Sequence, residues 1–144
     1  MPKNKPNIIR RNILITGCSS GIGLEAARIL HRRGHNVIAT VRKPVDQIML
    51  SQAGISNLPC DLTNSESIGS MVEAAIKAFE GKVDVLFNNA AYGQPGAVED
   101  LSRDALREQF ETNVFGTQEL TNLVIKQICI RAHRLTLSGR IQRQ

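Results

Sequence analysis

The chain has 144 residues, 42% of them apolar and 22% charged, with a formal net charge of +5. It is too apolar for an intrinsically disordered chain, and no apolar run reaches the length of a membrane span. Cys18, Cys60 and Cys129 stand far apart with no Cys-x2-Cys pair, and no charged-then-apolar leader opens the chain, so neither a zinc site nor a disulfide framework is expected and the reducing cytoplasm is the default location.

Residues 1–10, with Lys3, Lys5 and Arg10 among prolines and asparagines, read as a flexible basic arm. A first strand is expected at Asn12–Ile15. It runs into Thr16-Gly17-Cys18-Ser19-Ser20-Gly21-Ile22-Gly23, and a helix follows to about Arg33, with Ile22, Ala26, Ile29 and Leu30 on one face. Three glycines on a strand-to-helix turn are what a doubly wound sheet uses to hold a pyrophosphate. The first turn of a helix has backbone N–H groups without internal partners and carries partial positive charge, so an anion fits there without a basic side chain. Gly17 permits the tight turn, Gly21 the approach of phosphates, and Gly23 the close packing of helix on strand. The spacing is Gly-x3-Gly-x-Gly, and no Gly-Lys-Ser/Thr closes it as in a P-loop. Taken alone, the stretch also fits a glycine-rich turn without a ligand.

Gly34 stands where a left-handed helix cap belongs. The second strand, Val37–Val41, is almost wholly apolar, as in a strand covered on both faces. A short helix is expected at Val45–Gln52 and a third strand at Ile55–Leu58, leading into Pro59-Cys60-Asp61-Leu62. Thr63 and Glu66 have the spacing of a capping box for a helix carrying Ile68, Met71, Val72, Ala75, Ile76 and Phe79, which Gly81 stops. The fourth strand, Val83–Phe87, ends in Asn88-Asn89-Ala90-Ala91, and helical patterns follow at Ser102–Gln109 and Glu111–Ile128. Four alternations of strand and helix predict an α/β fold, a Rossmann-like doubly wound parallel sheet in the order 3-2-1-4, cut short after about four strands. The domain is expected over residues 11–129. Residues 130–144 hold Arg131, Arg134, Arg140 and Arg143 without an acid and read as an off-pattern basic tail. No aromatic interleaving or nucleic-acid module accompanies that charge, so a solvated tail is favoured over a nucleic-acid contact.

The glycine turn, then Asp61-Leu62, Asn88-Asn89-Ala90 and Asn113 within Thr112-Asn113-Val114 together resemble the N-terminal half of a short-chain dehydrogenase/reductase of the classical type, over roughly residues 10–129. The resemblance implies hydride transfer between a nicotinamide dinucleotide and a small-molecule carbonyl or alcohol. It implies cofactor contacts from Gly17, Ser19, Ser20, Gly21, Ile22 and Gly23 at the phosphates and ribose. Asp61 and Leu62 would lie at the adenine, and Asn89 and Ala90 at the ribose side. Asn113 matches the family's asparagine that holds a proton-relay water. At the end of the second strand Thr40-Val41-Arg42-Lys43 carries no acid, and Arg42 can pair with a 2′-phosphate, so NADP(H) is favoured over NAD(H). The family's usual glycine is replaced by Ala91. Tyr92 is the sole tyrosine, Gly96 lies four residues on, and no Tyr-x3-Lys occurs. The chain alone is therefore expected to be an inactive, truncated reductase. The alternative is a non-catalytic NADP(H)-binding or interaction protein. A further strand is missing beyond the fourth, so self-association through an open sheet edge is expected. No metal site and no membrane partner are expected. Phe79, Phe87, Phe110 and Phe115 are assigned to the core.

Overall fold

The computed structural model describes residues 9–127. Side-chain alternation along the strands organises it. In β1 (Asn12–Ile15), Ile13 and Ile15 join one apolar cluster and Leu14 another. In β2 (Asn36–Val41), Val37, Ala39 and Val41 fall with the first cluster and Ile38 with the second. Both faces are apolar because both are covered. On one side α1 (Gly21–Arg32) and α2 (Pro44–Gln52) bring in Ala27 and Leu50. On the other, α3 (Ser65–Ala78) supplies Ile68, Met71, Val72 and Ala75, and α5 (residues 117–127) supplies Leu120 and Val124.

With β3 (Ser56–Pro59) and β4 (Val85–Phe87) the strands form a parallel sheet in the order β3-β2-β1-β4. Ile13 is in register with Val37 on one side and Val85 on the other. This is the doubly wound α/β arrangement expected from the alternating pattern. Element bounds move by one or two residues: β2 starts at Asn36, β3 covers Ser56–Pro59, and β4 is confined to Val85–Phe87.

Three local expectations are corrected. The α3 cap is Asn64, whose Oδ1 accepts from Ser67 N at 2.9 Å, because Thr63 is held by the Asp61 carboxylate. Phe110 and Phe115 are 51% and 57% exposed, not core: they fall off the buried stripe Gly116, Leu120, Val124. Phe79 is buried, and Phe87 packs partly buried against the first cluster. α4 (Arg103–Phe110) leads into a π-helical turn, Glu111–Gly116, and then α5, so the second expected helical pattern, Glu111–Ile128, opens as a π-helix. The expected tail over residues 130–144 and all but Ile9 and Arg10 of the basic arm lie outside the described residues. No helix among the described residues is long and apolar enough to cross a membrane.

Candidate functional site

β1 feeds α1 on one face of the sheet, while β4, its neighbour, continues towards α4 and α5 on the other. The chain therefore diverges beyond the carboxyl ends of these two strands and leaves a crevice. The glycine turn lies in it. Gly17 has φ +69°, and a Cβ there would stand 2.7 Å from Ala90 Cα. Gly21 has φ +58° and faces open space. A Cβ at Gly23 would run into the Gly17 carbonyl oxygen and the Asn89 side-chain nitrogen, so its constraint comes from the turn itself and not from the strand face.

Ser20 is the N-cap of α1, yet its hydroxyl makes no capping bond, and the first turn holds no acid. By contrast α3 is capped by Asn64, and α4 by Ser102, whose Oγ accepts from Ala105 N at 3.2 Å. α1 thus presents its positive end and uncapped N–H groups to the crevice.

The opposite wall is locked to this turn by Thr16, which the sequence reading quoted as the start of the motif without giving it a role. Thr16 is buried, and its Oγ1 accepts from both Asn89 N and Ala90 N at 3.0 Å. Asn89 Nδ2 donates in return to the carbonyls of Thr16 and Gly17, at 3.1 and 3.0 Å. The available signal was a hydroxyl residue at a strand end next to a glycine turn, where two neighbouring strands must be tied just beyond the end of their shared ladder.

The crevice opens into a cavity of about 540 Å³. Of the residues expected to bind a cofactor, Gly17, Ser19, Ser20, Gly21, Ile22, Arg42, Asp61, Leu62, Asn89 and Ala90 line it, and Gly23 stands behind the lining. Thr40, Val41, Cys60, Ala91, Tyr92 and Thr112 complete the wall, and none of these was assigned a cofactor contact from the sequence. Asp61 Oδ1 accepts from Thr63 N at 2.9 Å and Thr63 Oγ1 at 2.8 Å. These two bonds, with Arg42 adding a favourable charge, hold its carboxyl below the usual range. One oxygen is thus used in a local turn while the residue still faces the cavity. Burial pushes the Cys60 thiol up to about 11, with the Asp61 charge adding to the effect. Burial likewise raises Cys18 to about 11. Neither thiol is a nucleophile near neutral pH.

Asn113 lies in the π-helical turn, outside the lining. Its Oδ1 accepts from Tyr92 N at 3.1 Å, and its Nδ2 donates to Tyr92 O at 2.7 Å. The amide therefore clamps the backbone of the loop that follows β4. A Cβ at Gly116 would overlap the Leu62 carbonyl, so a glycine there lets the π-helical turn close against the segment after β3. Sequence reasoning did not single out Gly116. Among the described residues no group of His, Cys, Asp and Glu could hold a metal ion.

A family model described as short chain dehydrogenase matches residues 11–137. The uncharacterized oxidoreductase YbbO of Escherichia coli (strain K12) is 38% identical over 114 residues, covering 79% of this chain and 42% of the relative. The crystal structure of an actinorhodin polyketide ketoreductase with NADPH superposes with a TM-score of 0.72 at 32% identity, over 81% of this chain and 47% of that one. A Brucella melitensis 3-ketoacyl-(acyl-carrier-protein) reductase complexed with NADH gives 0.76 at 28% identity, over 81% and 50%. The chain spans less than half the length of the curated relative. A family match over most of this sequence, joined to a sheet order and a glycine turn that this fold shares, leads to one conclusion: the chain belongs to the short-chain dehydrogenases.

Proposed function

We propose that the cleft binds NADP(H) in preference to NAD(H), as the cofactor-holding part of an oxidoreductase that moves hydride between a nicotinamide and a carbonyl or alcohol. The observation that carries this reading is Arg42. It lines the same cavity as the glycine turn, at the end of β2, where a carboxylate would instead accept the ribose hydroxyls of NAD(H). The uncapped positive end of α1 and the left-handed Gly17 and Gly21 fit a pyrophosphate. Asp61 and Leu62, Asn89 and Ala90 line the same cavity, and in this reading the first pair meets the adenine and the second the ribose side. When bound, the nicotinamide supplies or accepts the hydride, and the chain's own groups orient it. The free thiols of Cys18 and Cys60 suit the reducing cytoplasm.

The proton that must accompany hydride has no donor of the family's kind in these 144 residues, because Tyr92 has no lysine four residues on. Asn113 is an amide and does not titrate. The chain by itself is therefore proposed to bind cofactor without turning over. The same observation supports the second reading, a non-catalytic NADP(H)-binding or interaction protein. Calorimetric titration with NADPH and NADH tests the first claim. NADPH should bind more tightly, Arg42→Asp should abolish or invert the preference, and equal affinities in the wild type would remove Arg42 as the selector. NADPH oxidation against a panel of aldehydes, ketones and quinones tests the second, and turnover lost in Tyr92→Phe would show that this tyrosine donates the proton after all.

A further inference from the structure

Beyond Arg42 the cleft is bordered by a second cavity of about 580 Å³, which shares Arg42, Tyr92 and Thr112 with the first. Its far wall is the junction of α4 with the π-helical turn, and there Glu108 and Glu111, three residues apart, both line it. Among the described residues neither carboxylate has a close ion-pair or hydrogen-bond partner. The Arg42 guanidinium has no hydrogen bond or close ion pair there either. One guanidinium and two carboxylates thus line one open cavity, at the end of the cleft where the reading above puts the adenosine.

We infer that Glu108 and Glu111 are determinants of cofactor choice, acting across this cavity against the 2′-phosphate that Arg42 attracts. The inference rests on the cleft reading above and adds a counterweight to it. A 2′-phosphate brings about two negative charges to a cavity lined by two carboxylates against the single Arg42 guanidinium, whereas the 2′-hydroxyl of NAD(H) brings none. Repulsion between such solvent-exposed charges is modest and sensitive to salt. The carboxylates therefore set the size of the preference for NADP(H), and Arg42 its direction.

The test is calorimetric titration of the whole chain with NADPH and with NADH, at about 0.02 M and about 0.5 M salt, on either side of the physiological screening length. In low salt the double variant Glu108→Gln/Glu111→Gln should bind NADPH about three- to tenfold more tightly, with NADH unchanged. Glu111→Lys should move NADPH in the same direction and further. Glu73→Gln, which removes an exposed carboxylate on α3, should leave both cofactors unchanged. High salt should shrink the gain. An equal gain for both cofactors, no gain for NADPH, or a gain that salt does not reduce would each overturn the inference while leaving the cleft reading standing. Failure of the wild type and all variants to bind either cofactor would overturn the cleft reading, and this inference with it.

Discussion

At the scale of the residue, the site is held by atoms that leave no room for a methyl group and by short polar bridges. Gly17 combines a left-handed φ with a Cβ position 2.7 Å from Ala90 Cα. Gly17→Ala must shift the loop after β4 or the turn itself, and should cost about 2–4 kcal/mol in urea unfolding together with loss of NADPH binding. Gly21→Ala has the strained φ but open space, so its cost in stability should be nearer 1 kcal/mol. At the other end of the sheet, Asp84 Oδ2 accepts from Asn12 N at 2.8 Å, and Lys82 Nζ stands 3.2 Å from its Oδ1. Burial works against this carboxylate, but the Asn12 bond, Lys82 and Arg11 together outweigh it and hold its pKa below the usual value. A depressed folded pKa means stabilisation that is complete above the unfolded value, near pH 4, and lost as pH falls through the lower folded value. Asp84→Ala should therefore cost about 1–2 kcal/mol near neutral pH. Urea titrations at stepwise lower pH should show the gap from wild type closing below about pH 4, and a gap that persists there would assign it to packing.

At the scale of the element, what the sequence made legible was periodicity and turn chemistry. The central strands of the doubly wound sheet were readable because Ile13, Leu14 and Ile15, and Val37 through Val41 apart from Thr40, are apolar, as a sheet covered on both faces demands. Most of the cleft was readable because glycines and strand-end polar residues sit at element boundaries. Contacts between distant segments were not. Thr16 bonding to Asn89 and Ala90, and Gly116 passing the Leu62 carbonyl, leave no periodic trace, since each depends on where a second element lies. The same limit explains Phe110 and Phe115: apolar character alone does not reveal which side of a helix finds a partner. Gly116→Ala tests the most consequential of these contacts. The new methyl would push α5 and the π-helical turn away from Leu62, with an expected loss of about 2–4 kcal/mol. NADPH affinity should fall as well, because Leu62 and Thr112 both line the cleft. A variant as stable as wild type by thermal melting would show that the helix can slide without cost.

At the scale of the whole molecule, the two edges of the sheet differ. Along β3, Pro59 has no N–H to offer, and the Asn57 side chain is bonded back to Gln47 O, Ser51 Oγ and Ile55 O. β4 carries Val85, Leu86 and Phe87, with no proline or charge to discourage pairing, and Val85 is 41% exposed. The described domain should therefore associate through β4 and not through β3. Sedimentation should show larger species as concentration rises, and Val85→Lys should raise the midpoint concentration about tenfold, equivalent to ~1.4 kcal/mol. A monomer at all concentrations would show that another part of the chain covers the edge. The placement of β4 beside β1 also has a consequence in time. Asn12 and Asp84 meet across 72 residues of sequence, whereas β1 and β2 meet across 24. During synthesis at roughly 5–20 residues per second, the β1–β2 pair is complete several seconds before β4 emerges. Thr16 and the glycine turn spend that interval without the wall that Asn89 and Ala90 later provide. The nucleotide cleft is thus born late: the nascent chain carries its glycine turn well before it can hold a cofactor.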